Sequence, residues 1–240
     1  MKHAMQEHLA TLNALHREEV RNLALEKDLD HTRMEMLKSQ VNPHFLFNTL
    51  NMISCMARLE DAETTDKMIV SLGNLFRHNL RTKQQEVTLE EELDGLEDYI
   101  YLQQMRFDGR ITVEKQILVD PARVRLPSFT LQPVIENAFS HGLKACEEGG
   151  RILLRVWRQG RMLYVTVADN GKGMTEEELA ALSEKMRQSE QTGKSIGLGN
   201  IFRRVSMLYP DTGKMQVFSR AGHGTVIRFE IPQGEEEERA

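Results

Sequence analysis

Four short stretches of this 240-residue chain hold residue types that could do chemistry. The first runs from Gln40 to Asn51, where His44 follows Pro43 inside a segment that otherwise reads as helix. Proline removes a backbone hydrogen bond and bends a helix. The bend can turn His44 out of the apolar seam in which three-four spacing would bury it. A neutral imidazole nitrogen is a nucleophile at pH 7, because its unperturbed pKa is about 6.5. Asn48 lies four residues on, hence on the same face, where it could orient the imidazole, or a water during phosphate removal. The same residues also fit a core histidine beside Phe45 and Phe47.

The second stretch, Leu131 to Gly142, sets Asn137 in an otherwise apolar helix and has Glu136 and His141 close by. An amide oxygen is a hard ligand suited to Mg²⁺, which keeps several waters and shares nucleotide phosphates; an asparagine satisfied by a neighbouring loop fits equally. The third, Asp169 to Met174, follows a strand. A carboxylate at a strand end can accept a hydrogen bond from an adenine amino group, and Gly171 and Gly173 let backbone approach a base; Asn170-Gly171 is also an ordinary turn pair. The fourth, Gly193 to Asn200, opens a helix with Gly197 and Gly199. Glycine-rich backbone at a helix N-terminus offers bare N–H groups to phosphate, and a flexible loop before a helix reads the same. It is not a Walker loop, since no strand precedes it and GxxxxGK[ST] is absent.

The elements that must position these stretches follow from periodicity. Residues 1–58 read as one long helix. From Met5 to Val41 its seam runs at spacings of three or four, with one extra four-residue step at His16–Val20, the pattern of a coiled coil with a stutter. Polar His16, Lys27 and Asp30 weaken that seam. A second helix spans Thr65 to Arg81, so the two predict an antiparallel hairpin, and two chains predict a four-helix bundle. Thr88 and Glu91 form a capping box that starts a third helix ending near Arg106. Beyond Gly109 the texture turns to strands at Ile111–Leu118, Arg151–Arg158, Met162–Ala168, Met215–Ser219 and Thr225–Ile231. Helices fit Leu131–His141, Glu176–Arg187 and Leu198–Leu208. This is α+β: a mostly antiparallel sheet with helices on one face. The boundary between halves falls near 82–88, and the third helix suits either side.

Composition narrows the class. Hydrophobic residues make up 40% and charged residues 28%, an ordinary globular balance. A net charge of -5 argues against a nucleic-acid surface. Cys55 and Cys146 lie far apart without a CxxC, which argues against a disulfide framework or zinc site and fits a reducing cytoplasm. No run of about 18 apolar residues could span a membrane, and no signal peptide is visible.

In this order and spacing, the second, third and fourth stretches resemble the Bergerat (GHKL) ATP-binding domain shared by histidine kinases, gyrase-type ATPases and Hsp90. With the first added, the chain resembles the LytS/YehU-type sensor histidine kinases from about Ser39 to Pro232. The resemblance implies ATP and Mg²⁺ as cofactors and His44 as phosphoacceptor. It implies Asn137 as Mg²⁺ ligand, His141 and Lys144 close to the nucleotide, and Asp169 as adenine reader with Gly171 and Gly173 shaping that wall. Residues from about Met174 to Ile196 would form an ATP lid. Gly197, Leu198 and Gly199 would carry the phosphate side, with Arg203 or Arg204 adding charge, and Thr225 would support the adenine pocket from below. The implied domains are a signalling coiled-coil helix (1–38), a dimerisation and phosphotransfer hairpin (39–87), the ATP-binding domain (88–233) and an acidic tail (234–240). The implied partners are a second copy and the receiver domain of a response regulator, with the full-length protein anchored in a bacterial membrane and this part cytoplasmic.

Two departures from the pattern matter. ATPases of this fold place a water-activating glutamate four residues before the asparagine; here that residue is Pro133. Glu136, next to Asn137, should point elsewhere on the helix. Many sensor kinases have an acidic residue just after the histidine; here it is Phe45, so a base must come from elsewhere, Glu136 or the surroundings of Asp169. The alternatives are a GHKL ATPase or anti-sigma-type serine kinase, which would use the pocket without His44, and a non-catalytic nucleotide-binding scaffold.

Overall fold

A computed structural model describes residues 43–81, 84–192 and 197–234. The expected coiled coil over 1–38, residues 193–196 of the expected lid, and the acidic run from 235 onward lie outside the described residues. By compactness the chain divides between Met56 and Ala57.

The first described helix, α1, spans Pro43–Leu59. A turn follows in which Asp61 takes a left-handed backbone (φ 54°) and the Ala62 N–H donates to the Ala57 carbonyl at 2.8 Å. Helix α2 then runs Glu63–Arg81, and Arg58 pairs with Asp66 across the turn at 2.8 Å. Strand β1 (Glu86–Thr88) leads into α3 (Leu89–Arg106). The predicted capping box is formed: Thr88 Oγ1 accepts from the Glu91 N–H at 3.2 Å, and Glu91 accepts from the Thr88 N–H at 2.9 Å.

The C-terminal sheet comprises β2 (Ile111–Ile117), β4 (Gly150–Gln159), β5 (Met162–Asp169), β7 (Thr225–Pro232) and β6 (Lys214–Ser219), in the order β2-β4-β5-β7-β6. Three of its pairings are antiparallel and β2–β4 is parallel. Period-2 alternation fixes the faces: Ile152, Leu154 and Val156 of β4, Leu163, Val165 and Val167 of β5, and Ile227, Phe229 and Ile231 of β7 are all buried. Against them pack Leu96, Tyr99 and Ile100 of α3, together with α4 (Leu131–Asn137) and α6 (Leu198–Leu208). Phe139 stacks on Phe107 at 5.7 Å and meets Tyr99 edge-on at 6.3 Å. Helix α5 (Glu176–Thr192) completes the layer.

Three differences from the sequence expectation have physical causes. The helix expected over Leu131–His141 is α-helical only to Asn137; Ala138–Gly142 form a π turn, closed by the Leu143 N–H donating to the Ala138 carbonyl at 2.8 Å. A separate antiparallel pair, β1 with β3 (Arg125–Pro127), went unpredicted, because three-residue strands show too few alternations to register. Helix α5 extends past Arg187 to Thr192, there being no glycine or proline to stop it.

Candidate nucleotide site

Helix α4 carries the central asparagine. Pro133 sits in its first turn, where a missing N–H costs nothing. Its carbonyl accepts from Asn137 Nδ2 at 2.6 Å. A carbonyl can only accept, so the amide is oriented with its NH₂ toward the backbone. That leaves Oδ1, the atom a hard cation would take, as the remaining acceptor. Asn137 lines a cavity of about 390 Å³ with Phe129, Glu136, His141, Gly197 and Arg204. The N-terminus of α6 thus meets the C-terminal end of α4 at this cavity. Gly197 there has φ 69°, with open space where a Cβ would stand.

Between the two candidate arginines, it is Arg204 that lines this cavity; Arg203 lines a neighbouring one of about 440 Å³. Arg204 Nη1 donates to the Ser128 carbonyl. Burial pulls its guanidinium below the ordinary value, the Glu92 charge opposes this, and Arg203 adds to it. Glu136 corrects an expectation: it does not point away but lines the same cavity as Asn137, and among the described lining residues it is the one carboxylate. Successive helix residues lie about 100° apart, and the mouth of this cavity is wide enough to meet both. Lys144 is exposed and does not line the cavity. Leu198 and Gly199, the first two residues of α6 after Gly197, are buried.

The Asp169 region is built differently. The Asp169 carboxylate accepts from the Gly171 N–H at 2.9 Å and from the Thr225 N–H. It presses on Gly142, where a Cβ would lie 2.7 Å from Oδ1, which joins this wall to the π turn after His141. Burial raises its carboxyl above the ordinary value, and the two N–H donors oppose the shift. Gly171, Gly173 and Gly224 have no room for side chains: added Cβ atoms would fall 2.2, 2.0 and 1.8 Å from the carbonyl oxygens of Gly142, Arg220 and Asp169. The Gly222 N–H donates to the Lys172 carbonyl at 2.6 Å. Ser219, which the sequence did not single out, accepts from the Met174 N–H at 2.9 Å and lies 2.9 Å from Thr225 Oγ1.

The backbone of His44 lies in α1, and its side chain lies outside the described residues. Asn48 is exposed on the same helix. Among the described residues, no three His, Cys, Asp or Glu side chains gather as a metal site. A cation here would rest on the Asn137 oxygen, nucleotide phosphates and water, a donor set that fits Mg²⁺.

The fold and this two-part site define a nucleotide-binding domain of the histidine kinase and gyrase type. Residues 128–235 match the family of histidine kinase-, DNA gyrase B- and HSP90-like ATPases, and residues 32–111 match the histidine kinase family. The sensor protein LytS of Bacillus subtilis is 33% identical over 207 residues, covering 86% of this chain and 35% of that protein. The sensor histidine kinase YpdA of Escherichia coli is 34% identical over 216 residues, covering 90% of this chain and 36% of that protein. The catalytic domain of histidine kinase ThkA, 22% identical, aligns with a TM-score of 0.45 over 62% of this chain and 96% of that domain. The chain is similar to the LytS-type sensor histidine kinases along most of its length. It spans about a third of the length of the curated relatives it matches.

Proposed function

We propose that this chain is the catalytic portion of a sensor histidine kinase that transfers the γ-phosphoryl group of ATP to His44. One observation carries the reading. A single cavity gathers Asn137, His141, Arg204 and Gly197, beside an Asp169 turn packed too tightly for any side chain but glycine. Asp169 would accept from the adenine amino group, with Gly171, Gly173 and Thr225 shaping the wall beneath. Asn137 would hold Mg²⁺, which neutralises charge on the phosphates when bound. Gly197 and Arg204 would meet phosphate oxygens at the α6 N-terminus. His141 would line the phosphate path, and Lys144 would reach it from the rim.

In the transfer, an imidazole nitrogen of His44 bonds to the γ-phosphorus. The bond from that phosphorus to the bridging oxygen breaks, and ADP leaves with the electron pair. The proton on the imidazole passes to a base, for which Glu136, the carboxylate of the cavity lining, is suited. The phosphoryl group then moves to an aspartate of a response regulator, and Asn48 would orient the imidazole or a water for removal. Pro133 stands where water-activating relatives need a glutamate, so transfer to His44 is favoured over hydrolysis.

A second copy of the chain would complete a four-helix bundle. Met52, Met56 and Leu59 of α1 are 63%, 51% and 74% exposed, and Phe76 of α2 is 39% exposed, an apolar load that suits a partner helix. No helix among the described residues is long and apolar enough to cross a membrane; anchoring would come from the part of the full-length protein beyond this chain.

The test is incubation with γ-labelled Mg²⁺-ATP and mapping of the product. The expected label survives base, is lost in acid and maps to His44, while H44Q takes up none and keeps its ATP affinity. Equal labelling of H44Q would sink the assignment.

A further inference from the structure

Helix α4, which delivers Asn137, begins without a cap of its own. The hydroxyl of Thr130, at its N-cap position, makes no capping bond and donates instead to the Pro127 carbonyl at 2.5 Å. The orphan N–H groups go to a residue nearly forty positions earlier in the chain. Glu92 of α3 accepts from the Phe129 N–H at 2.6 Å, from the Thr130 N–H at 3.0 Å and from the Leu131 N–H at 2.9 Å. Glu92 is only 4% exposed. A carboxylate so buried is costly unless every lone pair is used, and this one is held by three charge-assisted bonds with the Arg204 charge close by.

The turn so held is strained. Phe129 has φ 56°, a left-handed backbone that bulky residues avoid, and it lines the Asn137 cavity. Its ring meets the His78 ring edge-on at 6.2 Å. His78 belongs to α2 and sits against Gly95 of α3, where an added Cβ would lie 2.7 Å from the imidazole. Gly95 is three residues after Glu92, on the same face of α3. One side chain therefore ties the α2–α3 pair to the first turn of α4, and Arg204 bonds the neighbouring Ser128 carbonyl from the other side.

We infer that Glu92 is a positioning residue of the nucleotide site: it fixes the Phe129–Leu131 turn, and through it the placement of Asn137 and Arg204 on the phosphate side. It touches neither nucleotide nor cation. The inference rests on the cavity being the Mg²⁺-ATP phosphate site, as proposed above. Because, among the described residues, no hydrogen bond joins the Asp169 wall to this turn, losing Glu92 should harm the phosphate side and spare the base side.

The measurement is calorimetric affinity of the full chain for ATP with Mg²⁺, and for ATP with chelator in place of Mg²⁺. Glutamine offers one acceptor oxygen to three N–H groups, so in E92Q the gain from Mg²⁺ should fall about tenfold while the Mg²⁺-free affinity stays within about twofold. Equal loss of both affinities would mean a general structural role and overturn the inference. So would an unchanged Mg²⁺ gain in E92Q when N137A loses it. If N137A keeps the gain, the phosphate-site reading itself fails and takes this inference with it. Should E92Q not fold, E92D keeps the charge but withdraws it by one methylene; a loss of about threefold in the Mg²⁺ gain is then expected, and none would overturn the inference.

Discussion

The two walls of the proposed nucleotide site are made in opposite ways. The Asp169 wall is backbone against backbone, where Gly171, Gly173 and Gly224 admit carbonyls closer than any Cβ would allow. The Asn137 wall is side chains around open space, and its own glycine, Gly197, has nothing among the described residues within 4 Å of a Cβ position. A flat, uncharged base can be read by a rigid slot. Triphosphate and cation must enter, react and leave, and that needs room. The contrast predicts that side chains added at the glycines of the base wall are felt in stability, and that those added on the phosphate wall are felt mainly in binding.

Gly224→Ala should show the largest effect. Its φ of 84° strains any other residue, and the new methyl would meet the Asp169 carbonyl oxygen at 1.8 Å. The two costs together should remove about 4 kcal/mol of stability, read by chemical denaturation. A loss below about 1 kcal/mol would show that the wall yields, and the contrast would collapse.

Asp169→Asn should separate stability from binding within the rigid wall. Burial raises the Asp169 carboxyl above its ordinary 3.8. The folded chain then holds that proton at pH values where the unfolded chain has released it, so ionising the carboxylate costs stability. The cost is absent below about pH 3.8, grows as pH rises through the window above it, and is complete once the raised value is passed. D169N removes this slope, so at pH 7 its melting temperature should equal or exceed the parent's. Its amide oxygen would keep the Gly171 bond and leave an NH₂ facing the adenine amino group. Affinity should fall about thirtyfold, the worth of a hydrogen bond to a charged group. Unchanged affinity would remove Asp169 from adenine recognition.

Much of this arrangement is legible in the sequence because it is local. The Thr88–Glu91 box, the alternation of β4, β5 and β7, and the run of glycines after Asp169 each declare themselves within a dozen residues. What stays hidden is long-range. Glu92 looks like one more acid in an acidic first turn, although its place three after Leu89 and four before Leu96 puts it on the buried face. Nothing local announces that it caps a helix 39 residues away. A helical wheel turns Glu136 away from Asn137 because it ignores the width of the space both face. Ser219 carries no motif; only pairing of β6 with β7 brings it to Thr225.

The smallest effect should come from Gly197→Ala, and it bears most directly on the contrast. Gly197 shares a left-handed backbone with Gly224, φ 69° against 84°. Conformational strain should therefore cost either substitution about 1–3 kcal/mol. Their surroundings differ: the Gly224 methyl would collide with backbone, whereas the Gly197 methyl would enter open space at the mouth of the cavity. The difference in stability between the two variants is thus expected to come mainly from packing. If Gly197→Ala proves as costly as Gly224→Ala, the phosphate wall is as tightly built as the base wall, and the room ascribed to it is not there. If it costs no more than that strain and mainly weakens Mg²⁺-ATP binding, the added methyl has taken space that phosphate oxygens need near the α6 N-terminus.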